Sequence, residues 1–84
     1  MLDKYIHFLK ELGNSKLTIV SEMSKLLARN ILYYTTNSIT LEDCFNETPA
    51  LEFEDNDQTE QDLRSYNYIR EKLYDILKTD SENK

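Results

Sequence analysis

The stretch SKLTIVSEMSKLLARNILYY, residues Ser15 to Tyr34, decides the fold. Leu17, Val20, Met23, Leu27, Ile31 and Tyr34 recur at spacings of 3, 3, 4, 4 and 3, which place them on one face of a helix. Ile19, Leu26 and Leu32 widen that face, so the helix is expected to lie centrally and touch neighbours on two sides. Neither Gly nor Pro occurs from Ser15 to Ser38. The pattern predicts a helix from about Lys16 to Tyr34, capped by Ser15 or Asn14.

Outward from this segment the rest of the chain also reads as helical. Leu2, Tyr5, Ile6, Leu9 and Leu12 predict a first helix over Leu2 to Leu12, stopped at Gly13-Asn14. Thr35-Thr36-Asn37-Ser38 breaks the second helix, because short polar side chains compete for backbone hydrogen bonds. Ser38 or Thr40 then caps a short third helix, with Leu41, Cys44 and Phe45 inward and Asn46 at its end. Leu63, Tyr66, Ile69, Leu73, Ile76 and Leu77 predict a fourth helix from about Thr59 to Lys78. The fold class is therefore all-α: a small bundle of three longer helices and one short one, with an acidic connector before the last. The expected organisation is one helical domain over residues 1–78 and a polar, disordered tail over 79–84.

Charge is unevenly distributed. Through Tyr34, five basic residues (Lys4, Lys10, Lys16, Lys25, Arg29) oppose Asp3, Glu11 and Glu22, giving +2. From Thr35 onward five basic residues oppose thirteen acidic ones, giving −8 and a chain total of −6. The span from Glu47 to Asp62 holds Glu47, Glu52, Glu54, Asp55, Asp57, Glu60 and Asp62 with no Lys or Arg. Leu51 and Phe53 alternate with Glu52 and Glu54, so the connector is expected to dock two apolar side chains and turn its carboxylates outward. An acidic half disfavours wrapping nucleic-acid phosphates and favours a basic protein partner.

Chemistry-bearing constellations are sparse. His7 and Cys44 are the only residues of their types, and no pattern brings them together as a nucleophile pair. The readings are His7 on a helix surface and Cys44 in the core. Asp55-x-Asp57-x-Thr59 begins like a calcium loop, but Glu60 and Tyr66 stand where Gly and Glu are needed, so no metal site is expected. No cofactor motif is present. A single Cys excludes an internal disulfide, and no apolar run reaches the length of a membrane span, so a cytoplasmic protein is expected.

Two resemblances bear on function. Leu2 to Leu12, the Gly13-Asn14 turn and Leu17 to Leu27 are similar to the opening of a helix-turn-helix domain, which implies DNA binding. The pattern departs after Leu27, where the helix runs on and Arg29 is the sole basic residue up to Ser38. In size, charge and helical character the chain resembles bacterial immunity proteins and phage-encoded inhibitors, without a shared motif. The expected function is binding and not catalysis: an acidic inhibitor of immunity, antitoxin or phage anti-defence type. It would engage a basic protein, such as a nuclease toxin or a nucleic-acid-handling enzyme. Tyr33, Glu47, Glu52, Glu54, Asp55, Asp57 and Glu60 are the candidate contacts. The alternative is a helical homodimer or a small subunit of an assembly, formed through an apolar strip of the second or fourth helix.

Overall fold

The computed structural model describes residues 2–52 and 61–82. Among them the chain is all-α: α1 (Leu2–Leu12), α2 (Thr18–Thr35), α3 (Leu41–Asn46) and α4 (Gln61–Glu82). The start of the fourth helix expected at about Thr59 and the docking of Phe53 lie outside the described residues. α4 runs to Glu82, past the stop expected at Lys78.

Each helix end has a local cause. α1 closes through three successive i→i−3 bonds, from the N–H groups of Gly13, Asn14 and Ser15 to the carbonyls of Lys10, Glu11 and Leu12. Gly13 is not left-handed. It is needed for closeness, since a Cβ there would sit 3.0 Å from the Lys10 carbonyl oxygen and 3.3 Å from Lys25 Cγ. The expected Ser15 or Asn14 cap of α2 is corrected: the N-cap is Leu17, with no side-chain cap bond. Ser15 Oγ instead accepts from Leu17 N at 3.1 Å and donates to Asp62 Oδ2 at 2.6 Å, tying the α1–α2 turn to the start of α4.

α2 ends in a Schellman motif. Asn37 adopts φ 64°, its N–H donates to the Tyr34 carbonyl, and Ser38 N–H donates to that of Tyr33. Asn is one of the few residues other than Gly that visit this region routinely. Thr40 caps α3, its Oγ1 accepting from Asp43 N at 3.1 Å, while Glu42 and Asp43 lie in the first turn, where carboxylates complement the helix dipole.

One core joins the helices: Leu9 of α1, Val20, Leu27 and Ile31 of α2, Cys44 and Phe45 of α3, and Leu63, Tyr66, Ile69, Leu73 and Leu77 of α4. α2 packs on all three other helices, and so does α4, so the two long helices share the middle. α1 and α3 each pack on both and do not meet. This core is small, and hydrophobic burial at about 25 cal/mol per Å² leaves such a domain a modest margin over chain entropy.

Candidate functional site

The acidic surface that the sequence points to begins on α3 and continues into the segment after it. Glu42, Asp43, Glu47 and Glu52 are all exposed, and residues 41–52 contain no Lys or Arg. Glu54, Asp55, Asp57 and Glu60 lie outside the described residues.

What fixes this surface is a polar network from α4 and α2. Asn67 of α4 grips the backbone of Leu51 from both sides: Leu51 N donates to Asn67 Oδ1 at 2.8 Å, and Asn67 Nδ2 donates to the Leu51 carbonyl at 2.7 Å. The side-chain amide thus does for Leu51 what a paired strand would do. One residue back, the buried Tyr66 hydroxyl donates to the Thr48 carbonyl at 3.2 Å. One turn on, Arg70 donates through Nε to the Thr48 carbonyl and through Nη2 to that of Phe45 at 3.1 Å. The same guanidinium lies 5.5 Å from the centre of the Phe45 ring.

From α2, the buried Asn30 donates to the Cys44 carbonyl at 3.4 Å and to Glu47 Oε2 at 3.0 Å. The Thr48 hydroxyl also donates to the Cys44 carbonyl at 3.4 Å. Two consequences follow. Glu47 is exposed yet one of its oxygens is held, so its carboxylate has a fixed direction. Arg70, the cation nearest α3 among these contacts, spends its donors on backbone carbonyls and forms no ion pair with Glu42, Asp43, Glu47 or Glu52.

Burial and the Glu47 charge push the Cys44 thiol up to about 11. Cys44 is fully buried and pairs with no histidine; His7 is exposed on α1, 3.0 Å from Glu11. Burial also raises the Tyr66 hydroxyl, against the lowering pull of its bond to Thr48 and the charge of Arg70. A thiol held protonated and out of solvent is a packing group and not a nucleophile. Among the described residues no cluster of His, Cys, Asp and Glu could hold a metal ion.

No family model, no curated protein and no solved structure matches the chain.

The remaining sequence candidate, Tyr33, is not brought to this network. It lies exposed on the outer side of α2, its ring 5.7 Å from the Arg29 guanidinium carbon. Tyr34 turns inward onto the core, as neighbouring positions on a helix must diverge. A groove of about 490 Å³ runs between α1 and α4, with Phe8, Leu12, Tyr68 and Ile69 as apolar walls and Glu11, Asn14, Ser15 and Asp62 among its polar lining. Its carboxylates are already engaged, Asp62 by Ser15 and Glu11 by His7.

Sequence reasoning missed Asn30, Thr48, Asn67 and Arg70. One signal was present. Asn30 stands three residues after Leu27 and four before Tyr34, a polar side chain inside an apolar stripe. A polar group in such a place needs a buried partner.

Proposed function

We propose that the protein binds a basic protein partner through the carboxylates of α3 and the segment that follows, and acts as an inhibitor or neutralising protein. The observation that carries this is the display of exposed Glu42, Asp43, Glu47 and Glu52 on a backbone held by Asn30, Tyr66, Asn67 and Arg70, with the Glu47 carboxylate itself held by Asn30. A carboxylate that is already oriented, as Glu47 is by Asn30, loses little freedom when a Lys or Arg side chain meets it, and an acidic surface speeds encounter with a basic one. In sequence the same charge continues through Glu54, Asp55, Asp57 and Glu60. An acidic connector carried on a small helical domain would imitate the phosphate charge of nucleic acid. The natural target is then a nuclease or another nucleic-acid-handling enzyme. No described helix is long and apolar enough to cross a membrane.

Neutralisation tests the proposal. Immobilised protein and its Glu47→Gln/Glu52→Gln/Glu54→Gln/Asp55→Asn variant are exposed to the same cell lysate at low and at raised salt. The expected result is a basic protein retained by the native chain, released by salt and lost from the variant. Gln at position 47 still accepts from Asn30, so the fold is left intact. Equal retention by both proteins at both salt concentrations refutes the acidic-surface reading.

A further inference from the structure

The outer face of α2 carries an apolar row whose two ends are exposed and whose middle residue is partly buried. Ile19 (46% exposed), Leu26 and Tyr33 (42% exposed) follow one another at heptad spacing. At 3.6 residues per turn such a row drifts only about 20° per heptad, so the three form one continuous seam. Leu26 is half-buried but is not among the side chains packed on the core. Glu22 and Arg29, also one heptad apart, flank the seam on a single side. Neither has an ion-pair partner among the described residues, and Arg29 lies over the Tyr33 ring.

We infer that this seam is an interface between two copies of the chain, with their α2 helices antiparallel and the twofold axis passing beside Leu26. The symmetry makes the case. A twofold axis perpendicular to the plane of two antiparallel helices keeps a flank on the same side in both copies, so Glu22 of one copy faces Arg29 of the other, and the reverse. Leu26 meets its own counterpart, and Ile19 meets Tyr33. A parallel pair sends the two flanks to opposite sides and leaves both charges unmatched. The strip is self-complementary in one direction only, which is the property an isologous interface requires. It is also short. A single helix face buries less than the ~1,200–2,000 Å² of a standard stable interface, so the dimer is a weak, concentration-dependent one. The acidic surface on α3 is a separate set of side chains, and this inference does not rest on its having a partner.

Sedimentation of the full chain from micromolar to several hundred micromolar tests the inference, with circular dichroism to confirm that each variant is folded. The native protein is expected to shift from monomer to dimer across that range. Leu26→Lys, which buries two like charges on the axis, is expected to weaken association by roughly ten-fold or more. Glu22→Arg and Arg29→Glu each weaken it, and the double exchange Glu22→Arg/Arg29→Glu restores it. In a Cys44→Ala background, Leu26→Cys is expected to cross-link to itself under mild oxidation, because the axis brings the two Cβ atoms together. A native chain that stays monomeric throughout overturns the inference. So does a dimer that is indifferent to Leu26→Lys, or single charge reversals that the double exchange does not rescue.

Discussion

Two regions of the molecule invert the usual association of polar with outside. On the side of α4 that faces α3, Tyr66, Asn67 and Arg70 turn their polar groups inward and spend them on the carbonyls and N–H of residues 45–51. On the outer side of α2, Ile19, Leu32 and Tyr33 are exposed without covering. The difference teaches where backbone satisfaction outranks side-chain hydrophobicity. Residues 47–52 form neither helix nor strand, so their buried carbonyls need donors from elsewhere. α2 satisfies its own backbone and is free to show an apolar row.

The sharpest way to break this contrast is to truncate one residue on each side. Tyr66→Ala removes a fully buried ring together with its hydroxyl bonds, and is expected to cost about 3–5 kcal/mol in urea unfolding. Leu32→Ala on α2 is expected to stay within about 0.5 kcal/mol. A comparable loss at both positions would mean that the outer face is packed after all.

Arg70→Met keeps the stem and deletes the donors, and its expected cost is about 2 kcal/mol, because hydrogen bonds from a charged group are lost at two carbonyls. The buried Cys44 thiol gives stability a pH signature. Cys44 ionises near 9.0 when unfolded and near 11 when folded. The native state therefore holds its proton longer, and the stability tied to that proton is present below pH 9 and declines as pH rises through 11. The raised Tyr66 hydroxyl adds a decline of the same sign. Chemical unfolding between pH 8 and pH 11 is expected to show the fall, and Cys44→Ala to make it shallower.

A smaller effect separates donor from acceptor in the Leu51 grip. Asn67→Asp keeps an acceptor for Leu51 N but sets a carboxylate against the Leu51 carbonyl, at an expected cost of about 1–2 kcal/mol at neutral pH. Protonating the new carboxyl restores a donor, so the gap to the native protein narrows in acid. The smallest effect sits at Ser24, whose buried hydroxyl has no hydrogen-bond partner among the described residues. Ser24→Ala is expected to be neutral or stabilising by up to about 1 kcal/mol, since it deletes an unpaired polar atom. Destabilisation there would show that the hydroxyl has a partner.

Much of the fold was legible because periodicity reports burial directly. The limits of α1, the end of α3 at Asn46, the inward turn of Tyr34 and Cys44, and the exposure of Tyr33 follow from spacing and side-chain size. The Thr40 cap and the break after Thr35 follow from short-range hydrogen-bond chemistry. Less of the candidate site was legible. Glu47 and Glu52 announced themselves by charge. Their supports, Asn30, Asn67 and Arg70, did not, because their partners are backbone groups 14 to 25 residues away, or a carboxylate 17 away. Leu51 was expected to dock as an apolar side chain; it does pack on the core, but its backbone is held as well.

The sequence by itself thus determined the helices and the acidic character of the connector, since both depend on neighbours three or four positions apart or on simple charge count. The Ser15–Tyr34 stretch needed no context to be read as a helix. Only tertiary structure decided what its flanks do. Ser15 leaves the cap of α2 to reach Asp62, Asn30 turns to Glu47, and Ile19 and Tyr33 are left exposed. Those outcomes depend on which distant groups arrive at hydrogen-bonding distance, and no local pattern encodes that.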